Sequence, residues 1–393
     1  MSWPLVKLGD ICTFVNGDRG KNYPSSSEFV EEGIPFINAG DLIDNQIDKK
    51  RLSYISSDKF DLLSSGKVCK DDLLFCLRGS LGKFAIVDDI TEGAIASSLV
   101  IIRAGNKITT KYLFEYLRSS LCENEITKFA NGAAQPNLSG KDLKDFQIPL
   151  PSLEEQKRVA AILDKADSLR RKNQQAIQLA DQFLRAVFFD MFGDPVTNPK
   201  GWERCKFECL INMVTYGLTV RPEYLAEGVP LISAREIRSG QINFDGAPKI
   251  SEKDFGKLSE KALPNFQDIL FSKTGSIGHC AIVESNLKFA VTQNAARIVP
   301  NTEKCEPLFL LSLLRTNYFF DLANRESKGN AVKDLQLGVM KEFPVYAPPM
   351  DIQRKYVEIF KRIKNLSSMN FDAQLDGNEL FNSISQRAFA GEL

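Results

Sequence analysis

Apolar positions follow two regimes along the chain. Short apolar runs at 33–39, 73–77 and 94–102, separated by Gly, Asp and Ser turns, read as β-strands. A stretch at 111–119 has helical spacing and a counterpart at 308–316. Strands and a helix mixed within about 150 residues predict an α+β domain. The second regime is helical over a long distance. It begins at a Pro-rich brake, Ile148-Pro149-Leu150-Pro151-Ser152-Leu153-Glu154-Glu155, where Glu155 stands three residues after Ser152 as in a capping box.

From Val159 a heptad follows. One seam carries Val159, Ala166, Asn173, Ala180 and Val187; the other carries Leu163, Arg170, Ile177, Leu184 and Met191. Both are apolar at the ends and polar in the middle. The pattern predicts roughly 40 helical residues, about 60 Å, stopping at Phe192-Gly193-Asp194-Pro195. A second helix after Ala347-Pro348-Pro349-Met350 keeps the same phase. Its seams are Tyr356, Ile363, Asn370, Gly377 and Ile384, and Phe360, Ser367, Gln374, Phe381 and Ala388. Packed antiparallel, the two helices pair their apolar ends and bring Asn173 to Asn370, a buried Asn that fixes register. Unpaired, they are two separate surface helices. Gly377, in Asp376-Gly377-Asn378, is the place where the second helix would break, since mid-helix Gly costs ~1 kcal/mol relative to Ala.

The shared phase belongs to a wider repeat. Glu32-Gly33-Ile34-Pro35-Phe36-Ile37 returns as Glu227-Gly228-Val229-Pro230-Leu231-Ile232. Asp72-Leu73-Leu74-Phe75 with Gly79-Ser80-Leu81-Gly82 returns as Asp268-Ile269-Leu270-Phe271 with Gly275-Ser276-Ile277-Gly278. Phe146, Pro151 and Gln156 match Phe343, Pro348 and Gln353, and Trp3 matches Trp202, at offsets between 195 and 199. The period lies far outside the 20–50-residue solenoid class. It predicts two large units related by a pseudo-two-fold axis.

The chain has 393 residues, 50 Lys and Arg against 50 Asp and Glu, and one histidine, His279. That length suits two or three domains, and the composition excludes wholesale disorder. A nucleic-acid binder acting alone usually has a basic excess. Contact with DNA therefore requires local basic charge or a partner that supplies it. No apolar run reaches the ~18–20 residues of a membrane span. The start, Met1-Ser2-Trp3-Pro4-Leu5, has no basic region leading into an apolar one, so neither a secretion signal nor a membrane location is expected. Cysteines at 12, 69, 76, 122, 205, 209, 280 and 305 then read as reduced thiols. Cys205 and Cys209 lack the second pair that a structural zinc site needs.

Catalytic motifs are missing. There is no G-x-x-x-x-G-K-[ST], no G-x-G-x-x-G and no Asn-Pro-Pro-Tyr loop for base methylation. Gly79-Ser80-Leu81-Gly82 is not the G-x-S-x-G of a nucleophile elbow, and His279 stands where the first half has Lys83, which disfavours a catalytic base. Binding remains. Two copies of a domain held apart by helices suit a long ligand with two readable segments, and duplex DNA is one. Candidate contacts in the first unit are Arg19, Lys21, Asn22, Tyr23, Arg78, Ser80, Lys83, Asn131, Gln135 and Asn137. In the second they are Tyr216, Thr219, Arg221, Arg235, Lys273, Thr274, Ser276, His279, Asn330 and Lys333. Arg and Lys pair with guanine edges or phosphates, Asn and Gln with adenine; each is otherwise a solvated loop residue. The repeated Gly-Ser-x-Gly loop is a structural turn or a phosphate nest.

The segment 148–167, IPLPSLEEQKRVAAILDKAD, resembles the central conserved region of specificity (S) subunits of Type I restriction–modification enzymes. Phe188–Pro195 as FFDMFGDP and the ending QRAFAGEL are similar to other parts of that family, and the two-unit layout matches over essentially the whole chain. The resemblance implies two target recognition domains, 1–150 and 193–349, each reading one half of a split DNA target. It also implies a central helix at 151–192 and a distal helix at 350–393, packed as an antiparallel coiled coil. These would set the spacer and dock two methyltransferase (M) subunits, and two restriction (R) subunits would complete the complex. S-adenosylmethionine, ATP and Mg are expected on those partners and no cofactor on this chain, which would be non-catalytic and cytoplasmic. The seam would be Val159, Leu163, Ala166, Asn173, Ile177, Leu184 and Val187 against Tyr356, Phe360, Ile363, Asn370, Phe381 and Ile384. Alternatives are the specificity chain of a system with fused methylase and nuclease, or a duplicated scaffold that bridges proteins.

Overall fold

The computed structural model describes residues 3–130, 137–219, 222–329 and 332–393, with 367–380 described in backbone only. Two compact units form: Met1–Gln174 with Phe371–Leu393, and Gln175–Asn370. The divisions fall inside both long helices, so each unit holds part of each.

In the first unit a four-stranded antiparallel sheet runs in the order Cys12–Asn16, Leu99–Ala104, Leu73–Cys76, Phe84–Ile86. Successive side chains of a strand point to opposite faces. Thus Leu73 and Phe75 join a core with Tyr112, Leu113 and Tyr116 of the helix Thr110–Leu117, while Leu74 and Cys76 join Ile37, Val87 and Ile95 on the other face. Burial on both faces explains why this strand reads as a continuous apolar run. The run at 94–102, expected as one strand, is two. Ala94–Ile95 lies parallel to Ile34–Ile37 in a second sheet, and Leu99–Ala104 belongs to the first. A turn closed by the Leu99 N–H on the Ala96 carbonyl at 3.0 Å carries the chain between them. Leu5–Lys7 pairs with Gln147–Pro149 and closes the domain where the first long helix begins.

The second unit repeats this order: Ile211–Tyr216, Ala295–Pro300, Ile269–Ser272, Cys280–Ile282. Val229–Ile232 again takes a parallel neighbour, Ala290–Val291, and Arg204–Lys206 pairs with Pro344–Tyr346. The polar interior repeats as well. Fully buried Gln156 accepts from the Thr109 N–H at 2.8 Å and donates to the Lys107 and Pro151 carbonyls at 2.9 and 3.1 Å. Gln353 makes the corresponding bonds to the Glu306 N–H, Lys304 and Pro348 at 2.8, 3.1 and 2.7 Å. Buried Asp72 takes Arg103 at 2.7 Å, and buried Asp268 takes Arg297 at 2.6 Å.

The long helices are Leu153–Phe192 and Met350–Ala390. Ser152 Oγ accepts the Glu155 N–H at 3.3 Å, and Gly193 ends the first helix at φ +78°. The second helix runs unbroken through Gly377 over 41 residues. A local cost of ~1 kcal/mol is small where both flanking stretches are anchored in a core. Those anchors differ by unit. Val159 and Leu163 share the first core with Phe381, Ala388 and Phe389, and Ala166 and Ile384 pack on it. Leu184, Phe188 and Phe192 share the second core with Tyr356 and Phe360, and Val187 and Ile363 pack on it. Rings of Phe188 and Phe192 lie 5.6 and 5.3 Å from Tyr356. Asn173 and Ile177 are half-buried; the Asn370 side chain lies outside the described residues.

Seam position Arg170 belongs to a charge node in the first unit. Buried Asp167 receives Arg118 at 2.7 Å, Arg170 at 2.8 Å and Arg171 at 2.7 Å. Arg118 also bonds buried Glu115 at 2.7 Å and lies 4.7 Å from the Phe381 ring centre.

Candidate nucleic-acid interface

In each unit one end of the four-stranded sheet gathers the loops that carry the sequence candidates. In the first unit, strands Cys12–Asn16 and Leu73–Cys76 both end there, and Phe84–Ile86 and Leu99–Ala104 both begin there. The loop after Asn16 brings Arg19, whose Nη2 donates to the Ser97 carbonyl at 3.1 Å. The loop after Cys76 brings Arg78, Ser80 and Lys83, all exposed. Arg78 forms an antiparallel bridge with exposed Asn137. Lys21 is exposed, and Asn22 is held by its Nδ2 bond to the Leu62 carbonyl at 2.8 Å. Tyr23 does packing work instead: it is half-buried, with its ring edge-on to Phe36 at 5.7 Å.

The second unit builds the same end from different side chains. Lys273 follows strand Ile269–Ser272, and its N–H bonds the Asn294 carbonyl at 3.0 Å. The Leu77 N–H bonds the Ser98 carbonyl at 2.9 Å in the corresponding place. The bridge Arg78 to Asn137 becomes Thr274 to Asp334. Unlike its fellow candidates, Lys273 is buried and pairs with Asp334, and its ammonium lies 5.7 Å from the Tyr216 ring centre. Thr274 Oγ1 donates to the same Asp334 oxygen at 2.5 Å. Burial alone raises the Asp334 pKa; the bonds from Lys273 and Thr274, with the Lys273 charge, bring it below the usual carboxylate value. Tyr216, Thr219, Ser276 and Lys333 are exposed, and His279 is half-buried. Arg235 bonds Glu236 at 2.9 Å and reaches the Gly246 carbonyl at 3.4 Å. Asn131, Gln135, Arg221 and Asn330 lie outside the described residues.

The Gly-Ser-x-Gly loops are turns. Gly79 and Gly275 stand at φ +78° and +77°, where a side chain would be strained. Several of their backbone donors are bonded within the protein. The Gly82 N–H bonds Cys76 and the Lys83 N–H bonds Ser80, both at 3.1 Å. In the second loop the Gly275, Ile277 and Gly278 N–H groups bond Lys333, Gly275 and Ser272 at 2.8, 3.1 and 3.1 Å. In the second loop these N–H groups are occupied, which leaves no run of free donors for a phosphate nest there.

Residue-by-residue reading of the sequence missed Arg238 and Asp334. Arg238 Nη2 reaches Ser276 Oγ at 3.2 Å across 38 residues, and Asp334 meets Lys273 across 61. Neither carries a local signal. Among the described residues no cluster of three or more His, Cys, Asp or Glu is placed to hold a metal. All eight cysteines are free thiols. No helix among the described residues is long and apolar enough to cross a membrane.

Comparison with known proteins supplies a match at two places in the chain. The family model for the Type I restriction modification DNA specificity domain matches residues 2–179 and again 215–372. The specificity subunit of the Type I restriction enzyme EcoBI of Escherichia coli is 24% identical, over 100% of this chain and 86% of its own length. The EcoKI specificity subunit of Escherichia coli strain K12 is 22% identical, over 100% and 89%. Among solved structures, the Type I restriction–modification S subunit from M. genitalium shares the fold with a TM-score of 0.61 at 16% identity, over 99% of this chain and 96% of its own.

Proposed function

This chain belongs to the family of Type I restriction–modification specificity subunits, and on that premise we propose how it recognises DNA. It is a non-catalytic target-recognition subunit that works with M and R subunits. Residues 1–150 and 193–349 each read one half of a bipartite target, through the loops at the end of the four-stranded sheet. Arg19, Lys21, Arg78, Ser80, Lys83 and Asn137 serve the first half-site; Tyr216, Thr219, Ser276, His279 and Lys333 serve the second.

One observation carries the reading. A single hydrogen-bonded frame, built on Gln156 and Asp72, recurs on Gln353 and Asp268, while the loops at the same sheet end carry different side chains in the two halves. A constant frame with variable loops is what reading two different sequences requires.

The segments 151–192 and 350–393 pair as an antiparallel coiled coil and set the spacer. Support comes from the joint packing of Val159 and Leu163 with Phe381, and of Leu184 with Tyr356. Two M subunits dock on the helices. Leu169, Leu179 and Phe183 stand 57%, 55% and 54% exposed there, more apolar surface than water favours. Two R subunits complete the cytoplasmic assembly, and S-adenosylmethionine, ATP and Mg belong to those partners.

The test is a methylome. The chain is expressed with its methyltransferase partner in a methylation-free host, and modified adenines are mapped by long-read sequencing. The expected result is a split motif methylated on both strands. An unmodified genome despite a soluble complex of the two proteins overturns the reading.

A further inference from the structure

In the reading end of the second unit, a carboxylate sits among cations. Lys333 precedes it and Lys328 bridges to it along the backbone, both exposed, and Lys273 pairs with it. A carboxylate facing a polyanion is unfavourable unless it accepts a hydrogen bond from a base. Asp334 is arranged to do so. One oxygen, Oδ1, takes both the Lys273 ammonium and the Thr274 hydroxyl, which fixes the orientation of the group. The other oxygen has no partner among the described residues, and the side chain is 43% exposed while Lys273 is 11% exposed. An oriented, ionised carboxylate accepts but does not donate. In the major groove guanine presents acceptors and thymine an acceptor and a methyl. Adenine and cytosine present amino donors, but adenine sets the N7 acceptor beside its amino group. A carboxylate with one free oxygen therefore selects cytosine.

We infer that Asp334, held by Lys273 and Thr274, reads a cytosine N4 amino group in the second half-site. The inference rests on the reading of this sheet end as the DNA-contacting surface. Its first-unit counterparts differ in chemistry. Leu77 stands in place of Lys273, Arg78 in place of Thr274, and Asn137 in place of Asp334, as the shared backbone bonds and bridges fix. Arg pairs with guanine and Asn with adenine, so equivalent places in the two domains select different bases.

The complex of the chain with its methyltransferase partner is offered a randomised duplex pool, and bound sequences are counted at each position. Asp334→Asn is compared with wild type. A second variant, Lys273→Leu with Asp334→Asn, installs the residue types of buried Leu77 and exposed Asn137 at the corresponding places and leaves no unpaired buried ammonium. Both variants are expected to move one position of the second half-site from cytosine toward adenine by about tenfold or more, with the first half-site unchanged. Equal weakening on every sequence makes the pair purely structural and overturns the inference. So does an unchanged preference at every position. A wild-type pool without any split preference removes the underlying DNA reading and this inference with it.

Discussion

Glu115 is a buried carboxyl in the first unit whose charged form is disfavoured. It is 4% exposed, and burial pushes its pKa up to about 7, against the lowering influence of Arg118 and with Asp167 and Asp164 raising it further. A carboxyl with a raised folded pKa stabilises the fold fully below its unfolded value near 4.5 and loses that contribution as pH rises through about 7. Glu115→Gln keeps the shape, and Arg118 retains Asp167 at 2.7 Å. The variant is therefore expected to gain stability over wild type between pH 5 and pH 8, reaching on the order of 3 kcal/mol at the upper end. Melting curves across that range check it, and a difference that does not grow with pH refutes it. The buried glutamines behave oppositely. Gln156→Leu strands the Thr109 N–H and the Lys107 and Pro151 carbonyls, a loss on the order of 3 kcal/mol. Gln353→Leu should lose a similar amount, since its three bonds correspond. Unshifted melting of either variant would count against the shared frame.

At the scale of elements, apolar pattern and repeat were legible to different depths. The long helices, their Pro and Gly ends and the inner strands could be read because each depends on neighbours in sequence: Ser152 with Glu155, Gly193 with Phe189. The helices Ser120–Phe129 and Asn317–Glu326 were missed, and 94–102 was read as one strand, because the turn between the two sheets, Ala96-Ser97-Ser98, contains no Gly, Pro, Asn or Asp to mark it. Contacts at the site were legible only as residue types. That Lys273 is paired while Arg78 is exposed depends on Asp334, 61 residues away from Lys273. The outer face of the first long helix carries the element's own prediction. Leu179 and Phe183, four apart, share one helical face and stand exposed. Leu179→Glu with Phe183→Glu should leave the chain folded, since neither side chain is in a core, yet weaken its complex with the methyltransferase partner at least about tenfold, as two buried apolar anchors contribute. Co-elution and titration of the purified proteins measure this. Undiminished association moves the docking surface elsewhere.

For the whole molecule, the central question is what separates the two reading ends. Domain exchange tests the modularity. Replacing 1–150 with the first domain of another family member should change one half of the methylated motif, and a change in both halves refutes independent reading. The spacer tests the helices. If the antiparallel pair is the ruler, its length must be altered in both strands of the pair at once, because lengthening one alone draws Val159 and Leu163 away from Phe381, or Leu184 away from Tyr356, and so breaks a core. Seven residues inserted after Asn173 and seven after Asn370 fall near the division of both helices between the two units. One heptad lies only about 20° from two full turns, so both seams keep their faces. It adds about 10 Å of helix, close to three base pairs at about 3.4 Å each. The expected methylome keeps both half-sites and lengthens the unspecified spacer by about three base pairs. A spacer of the original length, written by a complex carrying both insertions, would place the control of spacing in the domains or the partner subunits and would leave the helices as docking posts alone.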